Sequence, residues 1–205
     1  MQVATSILKI REDMQKIQEV EISSTDYIHL DIMDGNFVSN KVDMYRLYQK
    51  RLDIHLMVKD VKTYVDQYHT LHPEFITFHI EAIDNPEKMI DYIHSLDCKV
   101  GISICPDTDI DRLIPYLQSI ELILIMSVPP GFGGQKFLKT SITKVNELYK
   151  MRKQYSYHYQ IEVDGGLNRE TIPLVNNADI LVVGSFITDS ENYEQRIEEI
   201  RQLCN

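Results

Sequence analysis

The feature that most constrains this chain is a short, apolar, β-branched kind of segment that returns eight times, with helix-like stretches between. Spacing and composition predict strands over residues 3–8, 27–33, 53–58, 75–80, 99–104, 122–128, 160–164 and 180–184. In the stretches between, Asn85-Pro86 sets a capping side chain before a proline at a first helical position. Tyr193, Ile197, Ile200 and Cys204 keep one apolar face through the last segment. Eight β-then-α units in 205 residues predict an α/β fold, a (β/α)8 TIM barrel, with residues 1–205 forming a single domain. The rival is a doubly wound open sheet. It normally carries a glycine-rich loop after its first strand, and none is present.

Composition narrows the partners. No linker or low-complexity run interrupts the chain, and 43% hydrophobic with 25% charged residues is ordinary for a globular protein. A net charge of −10 argues against nucleic acid, whose backbone is bound by clustered Lys and Arg. It leaves room for a small phosphorylated ligand held by a few backbone N–H groups. The opening run is too short for a signal peptide and no stretch approaches a membrane span, so no membrane association is expected. Cys98, Cys105 and Cys204 form no CxxC pattern, and an odd count suits a reducing compartment; a cytoplasmic protein is expected.

In a barrel of this kind, chemistry sits at the C-terminal ends of the strands, and alternate residues point inward. The second strand aligns His29, Asp31 and Met33 on one face; the third aligns His55 and Met57. The sixth brings Met126, the seventh ends in Asp164, the fourth adds His79 and the first adds Ser6. A lone inward His is more often a hydrogen-bonded core residue, and for His79 the two readings stand even. His29, Asp31, His55 and Asp164 together are harder to assign to chance. Two imidazoles and two carboxylates make a nitrogen–oxygen set suited to one divalent ion: Zn, Fe, Mn or Co. Without an ion, two buried carboxylates so close would force one to take a proton. Met33, Met57 and Met126, ordinarily core filler, would here form a polarizable, water-poor wall beside developing negative charge.

Glycine-bearing loops close the last strands: Gly131, Phe132, Gly133 and Gly134 after the sixth, Gly165 and Gly166 after the seventh, Gly184 and Ser185 after the eighth. Such loops bring backbone N–H groups close to an anion, and barrels commonly bind phosphate after strands seven and eight.

These segments in this order resemble the ribulose-phosphate 3-epimerase family. The match is carried by Ser6-Ile7-Leu8, the run from His29 to Gly35, His55 to Val58, Phe78-His79, Met126-Ser127-Val128 with Pro130 to Gln135, Val163 to Gly166, and Gly184-Ser185. The resemblance implies a ribulose-phosphate-binding barrel and a homo-oligomer acting on a small-molecule sugar phosphate. It implies that His29, Asp31, His55 and Asp164 bind the metal and that Asp31 and Asp164 are the catalytic bases. Ser6 and His55 would touch the sugar, and the glycine loops would hold the phosphate. The chain departs from the family at Cys105-Pro106, where Asn-Pro is usual, and at Pro129, where Asn or Asp is usual. It also lacks the family's Pro and Gly in the loop after the second strand.

Inverting a carbon beside a carbonyl requires removing a proton from one face and returning one to the other, which two flanking carboxylates can do. The expected function is therefore metal-dependent C3 epimerisation of a ketose phosphate, D-ribulose 5-phosphate first, through an enediolate. The alternatives are a relative acting on D-allulose 6-phosphate and a non-catalytic sugar-phosphate-binding barrel.

Overall fold

Alternation within each apolar segment fixes the architecture, because one face of every strand must meet helices and the other must fill the barrel. The computed structural model describes residues 1–204. Its strands, in chain order, are β1 (Gln2–Ser6), β2 (Tyr27–Asp34), β3 (Lys41–Val42), β4 (Leu52–Met57), β5 (Phe75–His79), β6 (Lys99–Ile104), β7 (Leu122–Met126), β8 (Gln160–Asp164) and β9 (Ile180–Val183). Eight run parallel, and β1 pairs with both β9 and β2, so the sheet closes on itself. The short β3 lies outside the ring, antiparallel to β2 with Met33 opposite Val42. Around the barrel run α1 (Met14–Ile22), α2 (Val61–Tyr68), α3 (Pro86–His94), α4 (Thr140–Tyr155), α5 (Ser185–Thr188) and α6 (Tyr193–Leu203). Asp13, Asp60, Asn85 and Asn192 cap α1, α2, α3 and α6, each side chain accepting an amide hydrogen from the residue three positions on.

The eight βα units are not uniform, which corrects the regular repeat expected above. Between β6 and β7 lies a 3-10 segment, Ile110–Tyr116, with Pro115 inside it. Between β8 and β9 lies another, Ile172–Val175, which holds Pro173. A proline has no amide hydrogen for an α-helical ladder. Between β2 and β4 no helix forms. There the Tyr68 hydroxyl donates to Asp43 (2.6 Å) and accepts from the Met44 amide (3.1 Å), pinning the chain with side-chain bonds. The first strand stops at Ser6 and Leu8–Ile10 turns into a 3-10 segment; the predicted strands over 122–128 and 180–184 stop at Met126 and Val183. Cys204 is the C-terminal cap of α6, half-buried and packed against the core, its thiol bonded to the Ile200 carbonyl.

Three buried apolar clusters result among the described residues. The largest lies between strands and helices and includes Ile28, Leu30, Ile32, Ile54 and Leu56 with Ile17, Val20, Ile197 and Ile200. A second, Ala4, Tyr27, Phe75, Leu122, Ile180 and Val182, plugs the barrel floor, and a third joins Leu124, Met126 and Val128. Each fully buried Leu or Ile contributes about 1.5–3 kcal/mol. The opposite end stays open, and the strand ends there carry the polar residues. No helix among the described residues is long and apolar enough to cross a membrane.

Candidate active site

Register assembles the polar end. In the ladder between β2 and β4, Asp31 sits opposite His55 and His29 opposite Asp53; between β7 and β8, Met126 sits opposite Asp164; and β1 sets Ser6 beside His29. Partners in a parallel ladder point to the same face, so all of these side chains enter the barrel. His29 Nε2 and His55 Nδ1 each lie 3.4 Å from Asp31 Oδ1. Ligand atoms of His29, Asp31, His55 and Asp164 all fall within 4.8 Å of one another. The Ser6 hydroxyl donates to Asp31 Oδ2 at 2.7 Å.

The fit of a metal ion here is read from two orphaned atoms. His29 Nε2 and His55 Nδ1 are buried and have no hydrogen-bond partner, although both face the same carboxylate oxygen. An unpaired buried polar nitrogen costs about 1–3 kcal/mol. A cation shared with Asp31 and Asp164 would satisfy both nitrogens at once. The opposite nitrogen of His29, Nδ1, bonds Asp53 Oδ2 at 2.5 Å, which holds the ring with Nε2 turned to the site.

The two carboxylates titrate in opposite senses. Burial alone would raise Asp31, but the charge of His29 and the close approach of the His29 and His55 rings outweigh it and hold the carboxyl well below the usual range. Asp164 is pushed up to about 7 by burial, reinforced by the charge of Asp31. Burial works against a charged His29, yet the charges of Asp53 and Asp31 raise it well above the ordinary imidazole value. His55, lowered by burial to about 4, stays neutral. The site thus favours the ionised form of one carboxylate and the protonated form of its partner, the pattern of an acid–base pair.

A cavity of about 1130 Å³ opens above this cluster. Met33, Met57 and Met126 line it beside Asp31, Asp164 and Ser6, as the inward alternation predicts. His29 and His55 are fully buried and are not among its lining residues, so His55 has no surface for a sugar and reaches only the cluster beneath. Gly131, Phe132, Gly133, Gly134, Gly165, Gly166, Gly184 and Ser185 all border the same cavity. The three glycine loops predicted to hold phosphate thus share one wall with the carboxylates.

Known proteins match this arrangement along nearly the whole chain. The profile of the Ribulose-phosphate 3 epimerase family covers residues 2–188. A ribulose-phosphate 3-epimerase of Helicobacter pylori is 34% identical over 99% of this chain and 98% of its own length. The chain belongs to the ribulose-phosphate 3 epimerase family. The Bacillus subtilis ribulose-phosphate 3-epimerase is also 34% identical, over 91% of this chain and 90% of its own. Among solved structures, orotidine 5'-phosphate decarboxylase from Pyrococcus horikoshii superposes with a TM-score of 0.65 at 10% identity, covering 98% of both chains, which shows a common fold.

The segments around Cys105, Pro129 and the loop after β2 make hydrogen bonds that involve the backbone. Cys105 donates its amide hydrogen to Glu81 Oε1 at 2.8 Å, and its carbonyl accepts from Lys144 at 3.1 Å. The Pro129 carbonyl accepts from the Gln135 side chain at 2.7 Å, tying the two ends of the glycine loop together. The loop after β2 reaches across the cavity mouth, where the Asn40 amide donates to the Gly131 carbonyl at 3.2 Å.

Sequence reasoning missed Asp53, Glu162 and Glu81. Asp53 and Glu162 stand two residues before His55 and Asp164, so the same alternation that found the ligands points them into the barrel. Burial, then the charge of Asp53, raises Glu162 well above the carboxylate range.

Proposed function

We propose that this epimerase inverts C3 of D-ribulose 5-phosphate to give D-xylulose 5-phosphate, with Asp31 and Asp164 as the two proton-transferring groups and one divalent ion as cofactor. The observation that carries the reading is the convergence of Asp31 and Asp164 with His29 and His55, their ligand atoms within 4.8 Å of one another, beside a cavity bordered by the glycine loops. Asp31 takes the C3 proton and Asp164, as the acid, returns one to the opposite face; in the reverse direction the roles exchange. The Ser6 hydroxyl orients Asp31 through its hydrogen bond. Met33, Met57 and Met126 keep water from the enediolate that exists between the two transfers. His29, Asp31, His55 and Asp164 would hold the ion, Zn, Fe, Mn or Co, which when bound supplies Lewis-acid charge at the C2 carbonyl. The loops at Gly131–Gly134, Gly165–Gly166 and Gly184–Ser185 hold the phosphate through backbone amides. Three free cysteines support a reducing compartment, and the cytoplasm is our proposed location.

A coupled assay on D-ribulose 5-phosphate and D-allulose 6-phosphate with each metal tests this. Turnover is expected to favour the pentulose and to vanish with a strong chelator. Asp31→Asn and Asp164→Asn should each abolish turnover while circular dichroism stays native. Retention of more than a small fraction of activity by either variant would defeat the two-base scheme, and preference for the six-carbon substrate would reassign the enzyme.

A further inference from the structure

Beyond the four candidate ligands, β5 and the residues after it present a second polar cluster that no step above uses. His79 ends β5, Glu81 lies in the 3-10 segment Ile80–Ala82, and Cys105 follows β6; side-chain atoms of the three converge within 4.8 Å. A second metal would need open donor atoms. Here Glu81 Oε1 already accepts from the Cys105 amide and the Thr108 hydroxyl, and Oε2 faces His79 Nδ1 at 3.2 Å. Among the described residues, no buried side-chain nitrogen or oxygen of this cluster is left without a partner. What the cluster does have is a connection to the site: His79 Nε2 lies 2.9 Å from His55 Nε2, with ring centroids 5.0 Å apart.

We propose that His79 and Glu81 form a directed hydrogen-bond relay that fixes the proton of His55 on Nε2 and so keeps Nδ1 bare as a metal ligand. The inference rests on the metal reading given above. Its direction follows from elimination. A metal held at His55 Nδ1 leaves the ring proton on Nε2, which must donate to His79 Nε2. His79 then carries its own proton on Nδ1 and donates it to Glu81. Glu81 cannot turn away, because the Cys105 N–H can only donate and holds Oε1 in place. His79 and Glu81 are positioning residues: they act on the ion through His55. The arrangement parallels the Asp53 contact on His29, so both ligand imidazoles are braced from behind.

The sharpest test is Glu81→Gln, which is nearly isosteric. The Cys105 N–H keeps the new amide oxygen facing it, so the amide NH2 turns to His79 Nδ1 and donates. The His79 proton is thereby driven to Nε2, against the His55 N–H, and His55 must shift its own proton to the ligand nitrogen. Zinc affinity of the full-length protein, measured by competition with a chelating dye, should fall roughly ten- to hundred-fold for Glu81→Gln. His79→Phe, which keeps the ring packed on Phe37 but removes the acceptor, should fall comparably. Nitrogen-15 spectra of the histidines should give the Nδ1–H tautomer for His79 in the parent protein and the Nε2–H tautomer in Glu81→Gln, a change that a purely structural role would not produce. Zinc affinity of Glu81→Gln within twofold of the parent, or an unchanged His79 tautomer, would overturn the relay alone. A parent protein that takes up no divalent ion would overturn the metal reading, and the relay with it. Should His79→Phe fail to fold, the near-isosteric variant still decides.

Discussion

Gly166 occupies a backbone position with φ of +63°, and a Cβ there would come within 2.6 Å of the Phe137 amide nitrogen and 2.9 Å of the Gln135 carbonyl. Backbone cannot yield as a side chain can, so Gly166→Ala must shift either the β8 loop or the glycine loop after β7. The left-handed conformation adds about 1–3 kcal/mol of strain. Because both loops belong to the glycine wall proposed to hold the phosphate, KM for the sugar phosphate should rise more than kcat falls, and the melting temperature should drop. Steady-state kinetics with a thermal melt checks this; an unchanged KM would remove Gly166 from the ligand wall. The same residue-level reading explains what alternation made legible. His29, Asp31, His55 and Asp164 each lie on the inward face of a recognisable strand. Glu81 was not legible, because it lies in a 3-10 segment whose direction no strand period fixes.

Within an element, neighbouring residues have separate jobs. In β4, Asp53, His55 and Met57 enter the barrel while Ile54 and Leu56 join the strand–helix core. Ile54→Ala should therefore cost about 2–5 kcal/mol of stability, the price of a buried cavity. Zinc affinity and kcat should stay near the parent values. Denaturant melts and metal titration check this, and a large loss of metal affinity at modest destabilisation would contradict the division of faces. Helix placement was less readable than strand placement. The strand signal is local and repeats every second residue. The absence of a helix between β2 and β4 depends on Tyr68, which reaches back from α2 to Asp43 and Met44.

At the scale of the molecule, closure of the barrel concentrates acid groups that an open chain would keep apart, and this links folding to pH. Asp164 is raised from 3.8 to about 7 by burial and by Asp31, and His29 is raised well above 6.5 by Asp53 and Asp31 against the effect of burial. Between about pH 4 and 7 Asp164 in the folded, metal-free protein holds a proton that the unfolded chain has released, so its contribution to stability falls as pH rises through that window. His55, lowered to about 4, contributes in the opposite sense up to its unfolded value. His29 acts in the same sense as Asp164 above its unfolded value. Metal binding has the opposite slope, because His29 must lose its proton to become a ligand and a cation disfavours the proton on Asp164. The melting temperature gained on adding zinc should therefore widen from about pH 5 to pH 8, with protons released on binding. Calorimetry in buffers of different ionisation enthalpy measures the release; a gap that narrows with rising pH would contradict the assignment.

The sequence by itself determined the eightfold strand repeat, the inward face of each strand and the residues that face carries, because apolar alternation is a local property of consecutive side chains. It also carried the ordered motifs that place the chain in its family. Tertiary structure alone decided which inward groups meet. Ring closure and register bring His29 against Asp53 and His55 against His79, set Asp164 beside Asp31, and leave two imidazole nitrogens turned to one carboxylate oxygen. Those contacts join residues of different strands, and the distances between them are set by how the sheet closes, which no stretch of the chain specifies alone.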